Sequence, residues 1–254
     1  MSSSKKLYHI GVCEGDLPRR VLLPGSRKRV LKIGDLIGGE ILADERQLVL
    51  VGSYKGKEVA VVDTGMGPSS AAIIIREVIW SLKGEGVLIR VGTCGSLQPF
   101  VKVGDLVIPE GVVADECVSK KIVGEGIPLM PSREVVDSLK EEASKAGYTI
   151  GENLHIGITH TKDALYEFEK PELSSDPSST RRRMSMLTEM GVLATEMELS
   201  VLLALALKSN AEGGNIRAGG LLLVVSPYIE KGLTFERPSQ EDLIKIALEA
   251  VIHL

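Results

Sequence analysis

The chain contains the sequence Val87-Leu88-Ile89-Arg90-Val91-Gly92-Thr93-Cys94-Gly95-Ser96, an apolar strand that ends in a charge and a glycine-rich turn. Arginine offers a planar fork of N–H groups that can hold phosphate or carboxylate through two hydrogen bonds. Glycine allows backbone N–H groups to approach an anion closely, and Thr93 adds a hydroxyl donor. An arginine in an ion pair inside an ordinary α/β turn would show the same pattern, so both interpretations stay open at this point.

Strand-like and helix-like segments alternate along the rest of the chain, which is typical of an α/β fold. Strands are predicted over residues 21–23, 47–51, 58–63, 86–91, 105–113, 154–159, 191–194 and 217–225. Helices are predicted over residues 68–82, 132–146, 180–190, 197–209 and 239–254. Residues 47–63 are predicted to form a hairpin that turns at Tyr54-Lys55-Gly56-Lys57. A chain of 254 residues can bury one large core, so a single domain over residues 1–254 is expected.

Residues 167–183 interrupt this alternation, because they combine two prolines with several serines and many charges. This composition predicts a long loop or flap. Long loops in compact domains are usually functional or mobile, but a surface insertion without function is an equally good interpretation.

The composition argues against several classes of partner. The net charge is −4 with a pI of about 5.7, and no run of like charge exceeds three residues, which disfavours nucleic acid and anionic membrane surfaces. We find no apolar run long enough to span a bilayer and nothing that resembles a signal peptide. The three cysteines are scattered and predict neither a disulfide framework nor a zinc site. We expect a soluble, cytoplasmic enzyme or binding protein.

A second strand, Val21-Leu22-Leu23, also ends in glycine and arginine, at Pro24-Gly25 and Arg29. Gly25 could offer its backbone N–H to an anion, and Arg29 could turn back toward the same anion if a helix begins here. By itself this pattern is better explained by solvated basic residues at a helix N-terminus. Two such strand ends favour a site more strongly, because ligands of open α/β sheets bind at the carboxyl ends of strands. Arg46, just before the predicted hairpin, is a third basic candidate.

The stretch Asp63-Thr64-Gly65-Met66-Gly67-Pro68-Ser69 is another passage from a strand through a glycine turn to a helix. It lacks the G-x-G-x-x-G spacing, and no acidic residue follows a second strand at the expected distance, so we reject a dinucleotide site. We expect this turn to form one wall of a pocket.

Two carboxylates, Glu196 and Glu198, open a strongly apolar helix. They could be partners of the helix dipole or groups that face a ligand. The dipole explains Glu196 well and Glu198 less well, since acidic side chains are rarely buried without a partner. A carboxylate can accept two hydroxyl hydrogen bonds, which suits the vicinal hydroxyls of a ribose.

Other kinds of chemistry have no support in the sequence. His9 is more simply explained as a surface or capping residue. The chain has no G-x-S-x-G elbow, no H-E-x-x-H helix and no Cys/His pairing. We therefore expect neither a covalent nucleophile nor a metal site.

Taken in order, these motifs resemble the hexameric nucleoside phosphorylase family over essentially the whole chain. The most specific ones are Pro24-Gly25 with Arg29, Arg90-Val91-Gly92-Thr93-Cys94-Gly95, and Glu196-Met197-Glu198. The chain looks most like the uridine phosphorylases, because it has Gln98-Pro99 after the arginine-glycine motif and a long segment between residues 163 and 196. The resemblance implies a single-domain α/β fold in which helices flank a mixed, partly barrel-like central sheet.

The resemblance also implies roles for individual residues. The phosphate site would comprise Gly25, Arg29, Arg90 and Thr93, with Arg46 reaching the phosphate of a neighbouring subunit. The ribose site would comprise Thr93, Met197 and Glu198, with His9 reaching the 5′-hydroxyl across a dimer interface. The base would lie beside Leu165 and Tyr166, and the catalytic residues would be Arg90 and Glu198. Such shared sites imply a homo-oligomer, which in the family pattern is a hexamer built as a trimer of dimers.

The implied reaction is phosphate-dependent cleavage of a nucleoside to the free base and ribose 1-phosphate, with inorganic phosphate as co-substrate and no further cofactor. Four positions depart from the family pattern. Gly25-Ser26-Arg27 replaces Gly-Asp-Pro, so Arg27 adds positive charge near the phosphate turn, and Gln47 replaces a glutamate that binds a monovalent cation at some family interfaces. Glu167-Phe168-Glu169 stands where uridine phosphorylases have Gln-x-Arg, and Pro227 stands where purine phosphorylases have an aspartate and uridine phosphorylases an Asn-Arg.

The departures leave the phosphate and ribose motifs intact and alter the base motifs. Uridine is the favoured substrate. A purine nucleoside or methylthioadenosine phosphorylase is the first alternative, and a nucleoside-binding protein without turnover is the second.

Overall fold

A computed structural model describes residues 6–228 and 233–254. Its strands are β1 (Arg20–Pro24), β2 (Glu40–Asp44), β3 (Leu48–Tyr54), β4 (Lys57–Val62), β5 (Glu85–Ser96), β6 (Leu106–Ala114), β7 (Leu154–Thr161), β8 (Ala194–Glu196) and β9 (Asn215–Ser226). Its helices are α1 (Arg27–Ile37), α2 (Pro68–Ser81), α3 (Cys117–Val123), α4 (Arg133–Lys145), α5 (Leu165–Glu169), α6 (Pro177–Glu189), α7 (Leu199–Ala211) and α8 (Glu241–Ile252). A short 3₁₀ helix covers Pro171–Leu173.

The strands of the described residues form one sheet in the order β2-β3-β4-β1-β5-β8-β7-β6-β9. The last strand, β9, also pairs with β5, so β5, β8, β7, β6 and β9 close into a five-stranded barrel. Strands β1, β4, β3 and β2 extend from β5 as an open wing. The pairs β1–β5, β5–β9 and β6–β7 are parallel, whereas β3–β4 and β5–β8 are antiparallel. The predicted mixed, partly barrel-like sheet is confirmed.

Helices cover both faces of this sheet. Helices α1, α4 and α8 bury apolar side chains such as Val30, Leu139 and Val251 on one face. Helices α2 and α7 bury side chains such as Ile75 and Leu203 on the other. Helix α7 is apolar on nearly all sides and lies between α2, α3 and β9. Because α7 is enclosed, its N-terminus is held inside the molecule rather than at the surface.

The hairpin predicted over residues 47–63 is confirmed as β3 and β4, and its turn has left-handed residues at Lys55 (φ 48°) and Gly56 (φ 78°). This is the turn geometry that matches the twist of paired strands. The sequence pattern did not predict α1, because this helix carries many charges and an internal glycine. Gly34 is needed for packing, since a Cβ there would lie 2.5 Å from Leu50 Cδ1. Strand β2 and the short helices α3 and α5 were missed as well.

The predicted long loop over residues 167–183 is wrong. The segment contains the end of α5, the 3₁₀ helix and the first part of α6. Pro171 and Pro177 occupy the first positions of helical segments. The backbone N–H of a first helical residue has no partner within the helix, so proline, which lacks this N–H, is tolerated there. Asp176 caps α6 by accepting a hydrogen bond from the backbone N–H of Ser179 at 3.0 Å. The prolines and polar residues therefore mark helix starts.

Candidate active site

A cavity of about 500 Å³ opens at the carboxyl ends of β1 and β5. It is lined by the residues predicted for phosphate within one subunit, Gly25, Arg29, Arg90 and Thr93. It is also lined by four residues predicted for ribose and base, Leu165, Tyr166, Met197 and Glu198. Met66, from the glycine turn at residues 63–69, forms part of the wall as expected. The fold thus brings together eight residues that are far apart in the sequence.

Arg90 is the central charge of this cavity. Parallel pairing of β5 with β1 places it opposite Leu23, and it is only 5% exposed. Its Nε donates to Glu196 Oε2 at 2.8 Å, and its Nη2 contacts Glu198 Oε2. Its Nη1 is buried and has no hydrogen-bond partner among residues 6–228 and 233–254. A Cβ on Gly25 would lie 3.7 Å from Nη1, so the unpaired nitrogen lies beside the glycine turn. An anion bound there could accept hydrogen bonds from Nη1.

A second buried arginine increases the positive charge at this end of the cavity. Burial, followed by the charge of Arg90, lowers the pKa of Arg29 to about 10, which leaves it charged at neutral pH. Burial also disfavours the charge of Arg90, but Glu198 and Glu196 outweigh burial and raise the pKa of Arg90. Arg29 Nη1 donates to the Val91 carbonyl oxygen at 2.9 Å, which holds its guanidinium against β5. Two neighbouring guanidinium groups favour a multiply charged anion.

Glu196 acts as a structural partner in two ways. Its carboxylate accepts the backbone N–H groups of Glu198 and Leu199 at 2.8 and 2.9 Å, so it satisfies the N-terminus of α7. It also accepts hydrogen bonds from Arg90 and from the Thr161 hydroxyl. The helix-dipole interpretation of Glu196 is therefore confirmed, and the same carboxylate orients Arg90.

Glu198 is one of three carboxylates that line the cavity, together with Glu196 and Glu169. Its Oε1 accepts the backbone N–H of Gly67 at 2.6 Å, and its Oε2 contacts Arg90. Burial raises the pKa of Glu198, although the charge of Arg90 acts in the opposite direction. Each carboxylate oxygen has a second lone pair, so both can still accept a hydrogen bond from a ligand hydroxyl.

Arg27 does not line the cavity, although the sequence predicted that it adds charge near the phosphate turn. It donates two hydrogen bonds to Asp44, each at 2.6 Å, on the protein surface. The guanidinium is about half exposed, and its charge is balanced by that carboxylate. The charge that Arg27 brings near the phosphate turn is therefore directed to Asp44 rather than into the cavity.

His9 and Arg46 lie outside the cavity of the single chain. His9 Nδ1 lies 2.6 Å from Glu77 Oε1, and Glu77 Oε2 accepts the backbone N–H of His9 at 2.9 Å. Arg46 is exposed in the turn between β2 and β3. Both residues were predicted to act across a subunit boundary, so their roles stay predictions.

A buried ion pair in the cavity wall was not predicted from the sequence. Lys162 Nζ donates to Glu169 Oε1 and to Thr195 Oγ1, both at 2.8 Å. The side chains of Lys162 and Glu169 are 4% and 5% exposed. The available signal was the one used for Arg90, a charged residue directly after a buried strand. No local pattern indicated Glu169, because it meets Lys162 only after α5 has folded against β7.

A sequence profile described as the phosphorylase superfamily matches residues 19–226. The chain belongs to this superfamily. The predicted family is therefore confirmed, and the buried Arg90 belongs to a phosphorylase fold.

Individual relatives agree with this assignment. The chain is 35% identical over 248 residues to a uridine phosphorylase of Thermococcus kodakarensis, covering 96% of this chain and 85% of that one. It is 34% identical to a DeoD-type purine nucleoside phosphorylase of Caldanaerobacter subterraneus subsp. tengcongensis, covering 95% and 98%. A crystal structure of uridine phosphorylase from Vibrio fischeri superposes with a TM-score of 0.79 at 23% identity, covering 99% and 98%. The last comparison supports the fold.

Residues 6–228 and 233–254 offer neither a membrane-spanning helix nor a metal cluster. None of their helices combines the length and the apolarity needed to cross a bilayer. No three His, Cys, Asp or Glu side chains in this part of the chain are placed to hold a metal ion together. The expected lack of a metal and of a cofactor stays a prediction.

Proposed function

We propose that this superfamily member is a nucleoside phosphorylase, a pentosyltransferase that uses inorganic phosphate to cleave a nucleoside into free base and ribose 1-phosphate. The observation that carries the proposal is the buried Arg90, whose unpaired Nη1 lies beside Gly25 while Glu196 and Glu198 hold the rest of its guanidinium. An anion and a ribose can therefore be bound side by side.

The reaction needs no nucleophile from the protein. Phosphate would attack C1′ of the ribose as the bond to the base breaks, and the electron pair of that bond would leave with the base. Arg90 and Arg29 would orient the phosphate, and Glu198 would hold the ribose hydroxyls near the phosphate. We call Gly25, Arg29, Arg90 and Thr93 the phosphate end of the cavity, and Lys162, Leu165, Tyr166 and Glu169 the base end.

Uridine is the favoured substrate, because the relative at 35% identity is a uridine phosphorylase. A purine nucleoside is the main alternative, since a purine nucleoside phosphorylase follows at 34% identity. Methylthioadenosine is a further purine candidate. A binding protein without turnover is disfavoured, because both of these relatives are named as enzymes.

We further propose a cytoplasmic homo-oligomer that serves nucleoside salvage and is a hexamer built from dimers. In each dimer, His9 and Arg46 would complete the site of the neighbouring subunit. Tyr8 supports this arrangement, because it is 81% exposed and its ring packs edge-on against His9, with 5.0 Å between ring centroids. A large exposed aromatic side chain of this kind suits a covered interface.

The direct test is incubation with uridine, inosine, adenosine and methylthioadenosine, with and without phosphate. We expect release of free base and ribose 1-phosphate only when phosphate is present, measured by chromatography. Equal cleavage without phosphate would exclude a phosphorylase, and binding without any cleavage would favour the second alternative.

A further inference from the structure

The base end of the cavity carries a donor and an acceptor that the proposed mechanism does not use. The Glu169 carboxylate lies against Gly95, where a Cβ would be 3.4 Å from Oε1. Gly95 is five residues beyond Arg90 on β5, up to about 16 Å away at 3.3 Å per residue. Arg90, Gly95 and Glu169 all line the same cavity of about 500 Å³, so phosphate near Arg90 and a base near Glu169 would share one space.

Both groups of the Lys162–Glu169 pair keep unused hydrogen-bonding capacity. Lys162 Nζ has three donors, and the structure uses two of them, on Glu169 and Thr195. Glu169 Oε1 accepts from Lys162, whereas no described residue donates to Glu169 Oε2. Both residues line the cavity. One ammonium N–H and one carboxylate oxygen are thus available side by side to a ligand.

A chain of hydrogen bonds fixes the position and direction of the Lys162 ammonium. Thr195 Oγ1 accepts from Lys162 and lies 2.9 Å from His160 Nδ1, and His160 Nε2 lies 3.0 Å from Asp115 Oδ2. Burial lowers the pKa of His160, so the ring is neutral and one nitrogen accepts while the other donates. The Thr195 hydroxyl therefore donates to Nδ1, and Nε2 donates to Asp115, which Arg183 also holds. Lys162 can take part in this series of hydrogen bonds only by donating, since an ammonium group has no acceptor.

We propose that Glu169 and Lys162 recognise the base, with Glu169 Oε2 accepting a ring N–H and Lys162 donating to the carbonyl oxygen next to that N–H. This inference rests on the proposed function and assigns its substrate class. Uracil has such an edge at N3–H and O4, and 6-oxopurines have it at N1–H and O6. Adenine and cytosine have a lone pair on the ring nitrogen and an amino group beside it, so both contacts would be mismatched. The substrates are therefore uridine or 6-oxopurine nucleosides rather than adenosine, methylthioadenosine or cytidine.

The first test uses the unmodified enzyme and substrates that differ by one methyl group. In 3-methyluridine and 1-methylinosine the ring N–H is replaced, whereas 5-methyluridine keeps it and serves as the size control. We expect kcat/KM for the N-methylated nucleosides to fall about 100-fold or more relative to uridine or inosine. We expect 5-methyluridine to stay within about ten-fold of uridine. N-methylated substrates that are cleaved as well as their parents would overturn the proposal, and so would adenosine as the best substrate.

The second test changes the protein. Glu169→Gln places an amide where the carboxylate was, so it can donate to the ring nitrogen of adenine. We expect the ratio of kcat/KM for inosine to that for adenosine to fall at least ten-fold. Glu172→Gln, the same change at an exposed position of the following 3₁₀ helix, should leave the ratio unchanged. An equal ratio in wild type and Glu169→Gln would contradict base recognition by Glu169.

A binding measurement separates this inference from the proposed function. Calorimetry of the wild-type protein with uracil, 3-methyluracil, hypoxanthine and 1-methylhypoxanthine needs neither turnover nor a folded variant. Preference for the unmethylated base would support the inference even if no nucleoside is cleaved, in which case only the phosphorylase proposal fails. Equal binding of methylated and unmethylated bases would overturn the inference while leaving phosphorolysis intact.

Discussion

The phosphate end and the base end of the cavity hold their charges in different ways. Arg90 lies within a strand that pairs on both sides, and Glu196 and Glu198 hold it from the N-terminus of an enclosed helix. Lys162 follows the last residue of β7, and its carboxylate partner Glu169 comes from the five-residue helix α5. The central charge of the phosphate end thus lies on a barrel strand, whereas the carboxylate of the base end comes from a short helix outside the barrel.

This difference suggests how one fold can keep its reaction and change its substrate. Groups that act on the reacting atoms need a rigid frame, because small displacements lower the rate strongly. Residues in segments outside the barrel can change without disturbing that frame. The sequence agrees, because its phosphate motifs match the resemblance and its base motifs depart from it.

The largest effect is expected from Arg90→Ala at the phosphate end. Removing the guanidinium should lower kcat/KM for phosphorolysis at least 1,000-fold. It also leaves Glu196 and Glu198 buried without a cationic partner, so the free energy of unfolding should fall by about 3 kcal/mol. Steady-state kinetics and urea unfolding measure the two effects.

Arg27→Ala is the matched control, because Arg27 pairs with Asp44 outside the cavity, and its kcat/KM should stay within about two-fold of wild type. Full activity of Arg90→Ala would refute the assigned phosphate end.

A smaller effect is expected from Glu198→Gln, which lies between the two ends. The amide can still accept from Gly67 but loses the charge that strengthens hydrogen bonds from ribose hydroxyls. We expect kcat/KM for ribonucleosides to fall about 100-fold. The loss should be smaller for 2′-deoxyribonucleosides, which have one hydroxyl fewer to hold.

The control for Glu198→Gln is Glu212→Gln at the exposed far end of α7, which should behave as wild type. The same fold-loss for ribonucleosides and 2′-deoxyribonucleosides would argue that Glu198 acts only through Arg90.

The smallest effect concerns the stability of the base end in acid. Burial lowers the pKa of His160, and although burial acts against it, hydrogen bonds from His160 and Arg183 hold the pKa of Asp115 well below its ordinary value. The unfolded chain therefore binds more protons at both sites, so the free energy of unfolding decreases as pH falls. The decrease begins below about pH 6.5 for His160 and below about pH 3.9 for Asp115.

Urea unfolding between pH 7.5 and pH 3 measures this dependence. His160→Gln should flatten the curve just below pH 6.5, and Asp115→Asn should flatten it below about pH 3.9. A wild-type slope in His160→Gln would show that His160 is not held neutral by its surroundings.

Much of the phosphate end was predictable because its signals are local. An arginine after a run of apolar strand residues, the glycine that follows β1 and the carboxylates that open α7 each lie within a few residues of the sequence. The glycine-rich turn predicted after Arg90 is wrong, because β5 continues through Gly92 and Gly95 to Ser96. The base end was predicted less well, since Pro171 and Pro177 were interpreted as loop residues although they begin helical segments. The Lys162–Glu169 pair was missed although Lys162 directly follows a buried strand, because no local pattern indicated its partner Glu169.

By itself, the sequence determined the alternation of strands and helices, the glycine and arginine that follow two apolar strand segments, and the carboxylates that open α7. These are properties of short segments, set by periodicity and residue type. Only the tertiary structure decided which charges meet. Parallel pairing of β1 with β5 places the Gly25 turn beside Arg90, and closure of the barrel brings Glu196 and Glu198 to the same guanidinium. The physical reason is that a buried charge is stabilised by partners from other strands and helices, and no local pattern specifies those partners.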